Sequence, residues 1–141
     1  MEFNRSITVH FELISDSKIL AEGRFFDDYH DIKCFIVFSL PSLEIIEIGS
    51  ETGKLPQSIC KTPIAKLEGL KGLKIERGFR QKARKIIGGK EGCIHLADLV
   101  HEMAQGVVAL LRKAKMTPDG KELKDFPSDI FYGGCIGLNN K

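Results

Sequence analysis

Ile32-Lys33-Cys34-Phe35-Ile36-Val37-Phe38-Ser39-Leu40 is a strongly apolar run, with Phe35 to Phe38 apolar in succession. Such a run predicts a central strand covered on both faces. Upstream, Ser6 to Ile14 alternates. Ile7, Val9, Phe11 and Leu13 point one way, and Thr8, His10 and Glu12 the other. That period of two predicts a half-buried strand. Ser15-Asp16-Ser17-Lys18 is a polar turn, and Ile19 to Phe26 resumes the extended pattern, so the two runs form a hairpin. Asp27-Asp28-Tyr29-His30-Asp31 is a short polar break before the central run. Pro41-Ser42 turns the chain again, and Leu43 to Ile48 alternates once more. The first 50 residues therefore read as a four-stranded antiparallel meander.

Downstream the period changes. Gly49 to Lys61 reads as a loop. Thr62-Pro63 then predicts a helix start, with Thr62 as N-cap and Pro63 in the first turn. Ile64, Leu67 and Leu70 follow at helical spacing, and Gly69 and Gly72 end the segment. A second helix is expected over Phe79 to Ile87, stopped by Gly88-Gly89. The third is the clearest. Leu96, Leu99, Val100, Met103, Val107, Leu110, Leu111 and Ala114 make one apolar stripe. Strands first and helices last imply an α+β domain, an antiparallel sheet of about four strands with three helices packed on one face. Residues 1–116 are assigned to that single domain. Residues 117–141 read as an irregular C-terminal tail, whose Phe126, Ile130, Phe131 and Tyr132 suit it to covering a surface or a partner.

The chain has 141 residues, 43% hydrophobic and 28% charged, an ordinary globular mix for one domain. That excludes a disordered chain, a collagen and a coiled-coil rod. No uninterrupted apolar run approaches the ~20 residues of a membrane span. The first residues lack a signal-peptide stretch, so a soluble cytoplasmic protein is expected. Four cysteines and no CxxC pair point to reduced thiols. The net charge is only +2, but residues 61–91 hold ten Lys/Arg against three Asp/Glu, while residues 1–60 hold five against ten. This basic block is the solvated face of helices or a surface for an acidic partner. Phe79 stands alone among its basic residues, which argues against nucleic acid. No membrane partner is expected. Edge strands and an apolar tail are consistent with a homodimer.

Four places concentrate chemistry. They are the break with Asp27, Asp28, His30 and Asp31; Cys60 ahead of the Thr62-Pro63 helix; Gly92-Cys93-Ile94-His95 at the entry to the long helix; and Asp98, His101 and Glu102 on its first turns. Cys93 falls at a helix N-terminus, where unpaired N–H groups and the dipole favour negative charge on sulfur. A thiolate serves a metal ligand and a nucleophile alike. His95 is two residues on. Cys60 has a similar setting, and two cysteines meeting above one sheet would suit zinc or iron. Cys34 is expected in the core, Cys135 without a role, and His101 on the surface. No GxSxG, P-loop, GxGxxG or HExxH motif occurs.

The run Gly69-Leu70-Lys71-Gly72-Leu73-Lys74-Ile75, with Arg77-Gly78-Phe79, Ile87-Gly88-Gly89 and Gly92-Cys93-Ile94-His95-Leu96, resembles a bacterial family catalogued as a domain of unknown function. The Asp27 region and Cys60 fit the same pattern, so the resemblance covers about the first 110 residues. It brings no activity with it. The order of elements is also similar to iron–sulfur cluster scaffold proteins, which carry one cysteine beside an aspartate, one at a helix start and one opening a late helix beside a histidine. Here Asp28, Cys60 and Cys93 with His95 stand at those places. The first cysteine is absent, and the histidine follows Cys93 instead of preceding it.

Three readings follow. The leading one is a small metal-binding domain holding zinc or iron through Cys60, Cys93 and His95 with Asp28 or His30. An open position would serve hydrolase or lyase chemistry, and a filled one a carrier. The second is a metal-free thiol enzyme with Cys93 as nucleophile and His95 or His30 as base. The third is a non-catalytic interaction module that uses the basic 61–91 segment and the tail.

Overall fold

The structure is a computed structural model and describes residues 1–114. The assignment of 117–141 as a tail, Cys135 included, lies outside the described residues. Four strands run in chain order: β1 (Arg5–Ser15), β2 (Lys18–Asp27), β3 (Asp31–Ser39) and β4 (Ile45–Lys54). They form one antiparallel sheet in the order β1-β2-β3-β4. Three helices follow: α1 (Lys61–Ala65), α2 (Phe79–Ile87) and α3 (Ile94–Lys113). The fold is therefore the expected α+β meander with its helices on one face.

The alternation in β2 decides which face is covered. Ile19, Ala21, Phe25 and Asp27 are buried, while Glu22, Arg24 and Phe26 are exposed. Register places Ile32, Cys34, Ile36 and Phe38 of β3 beside that buried row. All four are in the core. α3 lies across it and buries Leu96, Ala97, Leu99, Val100, Met103, Ala104, Val107, Val108 and Leu111. Each large apolar side chain removed from water there stabilises the packing by about 2 kcal/mol. The approach is close. A Cβ on Gly23 would stand 2.8 Å from the Met103 sulfur and 2.9 Å from Leu99 Cδ1. A Cβ on Gly106 would run into the Phe11 ring. α2 packs on the far flank of α3 with Phe79, Ala83 and Ile87 buried. By length and composition α3 could cross a membrane, but here its apolar stripe is spent on the sheet.

Several expectations are corrected. β3 is not covered along both faces: on the side away from the helices Val37 is buried, but Lys33 and Phe35 are not. The described helices lie on the Ile32/Cys34 side, so Lys33 is exposed and Phe35 remains 44% exposed. The other face is an open groove of about 710 Å³, lined by Thr8, His10, Leu20, Arg24 and Phe35 among others. β1 has the expected facing, but it is a sheet edge and only Phe11 is half-buried along it. β4 extends through Gly49 and Gly53 to Lys54, where a loop was expected. Its pairing with the whole length of β3 overrides the weak strand preference of glycine. The first helix is only a short α-turn between two 3-10 turns, Ser58–Cys60 and Lys66–Leu70, and Cys60 replaces Thr62 as its N-cap.

Gly106→Ala tests the closest contact. It is expected to lower stability in urea unfolding by about 1–3 kcal/mol. Phe11→Ala in the same chain should recover part of that loss, because the ring that the new methyl meets is gone. An unchanged midpoint in Gly106→Ala would contradict this packing.

Candidate functional site

The buried row of β2 ends on a carboxylate. Asp27 is 2% exposed, the one charged residue among the buried side chains described. Its Oδ1 accepts hydrogen bonds from the backbone N–H groups of Tyr29 and His30, each at 2.8 Å, and faces His30 Nδ1 at 2.8 Å. Its Oδ2 accepts from Arg5 Nε at 3.0 Å. Burial alone would push this carboxyl up. The hydrogen bonds from His30, Tyr29 and Arg5 overcome it and hold Asp27 well below the usual carboxylate range. A carboxylate only accepts hydrogen bonds, so Nδ1 of His30 carries the proton. In the neutral ring Nε2 then holds the free lone pair.

Helix α3 delivers the second imidazole. Phe25 occupies the buried row two residues before Asp27, and the His95 ring stacks on it, with centroids 4.6 Å apart and planes at 27°. The same His95 ring meets His30 edge to face, at 4.7 Å and 73°. Burial, followed by the charges of His30 and Arg5, pushes His95 below its ordinary value and favours the neutral ring. The Arg5 guanidinium covers Phe25 at 5.0 Å and Phe3 at 5.4 Å, and Phe3 stacks on Tyr29 at 6.0 Å. Two histidines 65 positions apart in the chain are thus brought together at one end of the sheet.

Cys93 caps α3. Its sulfur accepts from the Leu96 N–H at 3.4 Å, and its own N–H donates to the Ile87 carbonyl at 2.7 Å. Glycine is needed just before it, because a Cβ at Gly92 would collide with the carbonyl oxygens of Ile87 and Gly88. Cys60 sits half-buried at the N-cap of α1. Lys66, just beyond α1, donates to the Glu91 carbonyl at 3.3 Å and holds that segment against the loop ahead of Cys93. Asp28 is exposed in the turn between β2 and β3. Among the expected site residues, the geometry joins His30 to His95. It does not gather Asp28, Cys60, Cys93 and the two histidines into one set. Among the described residues, no group of three or more His, Cys, Asp or Glu side chains is arranged to hold a metal ion.

Two members of the site, Asp27 as anchor and Arg5, were not assigned from sequence. The signal was present: Asp27 continues the buried row Ile19, Ala21, Gly23, Phe25, and the hairpin register sets Arg5 opposite it. Cys34 is buried as expected, and burial pushes its thiol up to about 12. His101, expected on the surface, is partly covered. It is half-buried beside the α2 N-terminus, in a cavity of about 360 Å³ with Arg77 and Arg80. Its buried Nδ1 has no hydrogen-bond partner among the described residues. Most of the basic 61–91 block is exposed, with Lys71 paired to Glu68 and Lys82 near Glu76.

Residues 4–109 match the family described as "Protein of unknown function (DUF2889)". The match spans most of the chain and every candidate site residue, so the chain belongs to that family. No curated protein and no solved structure matches it.

Asp27 makes the pH dependence of stability specific. A carboxylate whose native pKa is depressed stabilises the fold in full above its unfolded pKa, about 4. That contribution is lost as pH falls from there towards the native value. Asp27→Asn is expected to cost about 3 kcal/mol at neutral pH and to flatten the decline on acidification. Urea unfolding at neutral and acid pH, wild type beside variant, measures both. Parallel profiles would show that Asp27 is not held in this way.

Proposed function

We propose that this member of the DUF2889 family binds one zinc or iron ion at the end of the sheet, through His30 and His95. The observation that carries the reading is the buried Asp27 on His30 Nδ1. A carboxylate behind one ring nitrogen fixes the tautomer and turns the other nitrogen outward as a ligand, the usual support for a metal-binding histidine. His95 is held towards its neutral form, which is the form that ligates. Cys93 stands two residues before His95, and rotation of its side chain away from Leu96 would supply a third donor. Nitrogen and thiolate donors suit zinc and iron over the hard cations. Positions that protein does not fill would go to water or substrate. The bound metal would then activate that water for hydrolase or lyase chemistry. A site closed further by Cys60 or Asp28 would be a carrier instead.

Elemental analysis of anaerobically purified protein tests this. The expected result is about one zinc or iron per chain in the wild type, with loss in His30→Ala and in His95→Ala. Cys93→Ala should lower the metal content. Asp27→Asn should weaken affinity by about 10- to 100-fold, as loss of an outer-sphere carboxylate does. A wild type that holds no metal after purification and none after incubation with zinc would overturn the reading.

One observation favours a second, metal-free reading. The Leu96 N–H donates to the Cys93 sulfur and holds it at the head of α3, where a thiol nucleophile would be placed. His30 or His95 would then act as base. In metal-free protein near neutral pH, Cys93 should be alkylated by iodoacetamide much faster than Cys60, as peptide mass mapping would record. Equal rates at the two thiols would dismiss it.

A further inference from the structure

We propose that the chain beyond Ala114 folds back over the outer edge of β1 and seats Phe126, Ile130 and Tyr132 on the apolar row Ile7, Val9 and Leu13. This inference stands apart from the metal site and does not depend on it. Among the described residues β1 is paired on one side only, by β2. On its helix side Ile7, Val9 and Leu13 are 40%, 36% and 39% exposed. The path of α3 explains why. His95 stacks on Phe25 of β2, Leu99 and Met103 sit on Gly23 of β2, and Gly106 sits on Phe11 of β1. Register sets Phe25 beside Ile7, Gly23 beside Val9 and Ala21 beside Phe11. The helix therefore crosses from β2 to β1 as it advances. Where it lies over β2 it leaves Ile7 and Val9 uncovered, and it meets β1 at Phe11. A wedge of apolar surface opens between the helix and the edge of the sheet.

The occupant follows from where the described chain stops and from the residues that come next. Ala114 stands eight residues past Gly106, about 12 Å further along the helix axis. The helix thus delivers the chain at the outer edge of the sheet, near the Ser15 end of β1. Residues 115–141 follow. Pro118-Asp119-Gly120 is a turn signal, and a chain reversed there runs antiparallel to β1. Ile7 to Leu13 spans seven residues, and so does Phe126 to Tyr132. In extended chain Phe126, Ser128, Ile130 and Tyr132 share one side. Antiparallel alignment then sets Phe126 at Leu13, Ile130 at Val9 and Tyr132 at Ile7. The small Ser128 falls at Phe11, where Gly106 already rests. Pro127 suits an outer strand, which needs no N–H on its solvent side. Eleven residues tether Phe126 to Ala114, which gives the segment an effective concentration on the order of millimolar. Two other arrangements fit less well. Pairing two copies of β1 about Val9 or His10 puts the two-fold axis near residues 101–103 of α3 and sets the exposed Glu102 beside its own copy. The opposite face of the sheet carries Glu22, Arg24, Lys33 and Glu51 along its groove, and burying those charges under apolar side chains is costly.

Hydrogen exchange of the full chain, with sedimentation velocity on the same samples, tests the proposal. The expected species is a monomer of 15.7 kDa, in which the outward amides of β1 are protected equally at every micromolar loading. Ile130→Lys alters none of the described core. It should strip that protection and leave the far-ultraviolet circular dichroism of the fold in place. Val9→Lys, at an exposed position, should do the same. Combining Val9→Lys with Ile130→Glu should recover part of the protection, because the two charges attract across the contact. Free exchange of the outward β1 amides in the wild type overturns the proposal. So does protection that survives Ile130→Lys. Protection that grows with loading, alongside a species of twice the chain mass, overturns it as well and would give the row to a second copy.

Discussion

Leu99 and Met103 of α3 rest on the backbone of β2 at Gly23, and Gly106 rests on the ring of Phe11. This close seating of one helix on two strands governs the rest of the molecule. It fixes the height and the rotation of α3 over the sheet. Once those are fixed, His95 in the first turn has one place to go, flat against Phe25. The site is thus a consequence of packing: nine side chains buried along α3 carry the positional precision of one imidazole.

The other imidazole is positioned from below. Asp27 ends the buried row of β2 and cannot remain there alone, because an unpaired buried carboxylate is strongly unfavourable. The turn that follows is shaped to satisfy it, with two backbone N–H groups, one ring nitrogen and the Arg5 guanidinium all converging on its two oxygens. The same bonds hold His30 in one tautomer and one orientation. One carboxylate therefore ties β1, β2 and the turn into β3 together, and it also prepares a histidine. Structural and chemical roles coincide in it, so the metal content and the unfolding behaviour of Asp27 variants have to be read side by side.

The polar break at Asp27–Asp31 and the entry at Cys93–His95 were both legible as places of interest, and the family match includes both. Which residue of the break mattered was harder to read. Asp28 looked equivalent to Asp27 by type, but strand parity turns Asp27 inward and Asp28 out to solvent. Cys60 and Cys93 shared a setting ahead of helices, yet the structure spends the Cys93 sulfur on the cap of α3 and leaves Cys60 at the head of a five-residue helix. His101 shares a helix with His95 and faces elsewhere, towards α2, because six residues along a helix leave two side chains about a third of a turn apart.

From the sequence alone came the antiparallel meander, the three helical segments and their order, and the burial of Cys34. These rest on local periodicity, a two-residue repeat giving way to a helical one, which neighbouring residues specify among themselves. Only the tertiary structure decided that β1 is the outer strand of the sheet, that Lys33 and Phe35 of β3 stay exposed, that β4 runs on through its glycines, and that His30 meets His95. Those depend on which surfaces from distant parts of the chain cover one another. The described helices came down on one side of the sheet, and the residues beneath α3 became core while Phe26 and Phe35 on the other side, equally apolar, stayed exposed.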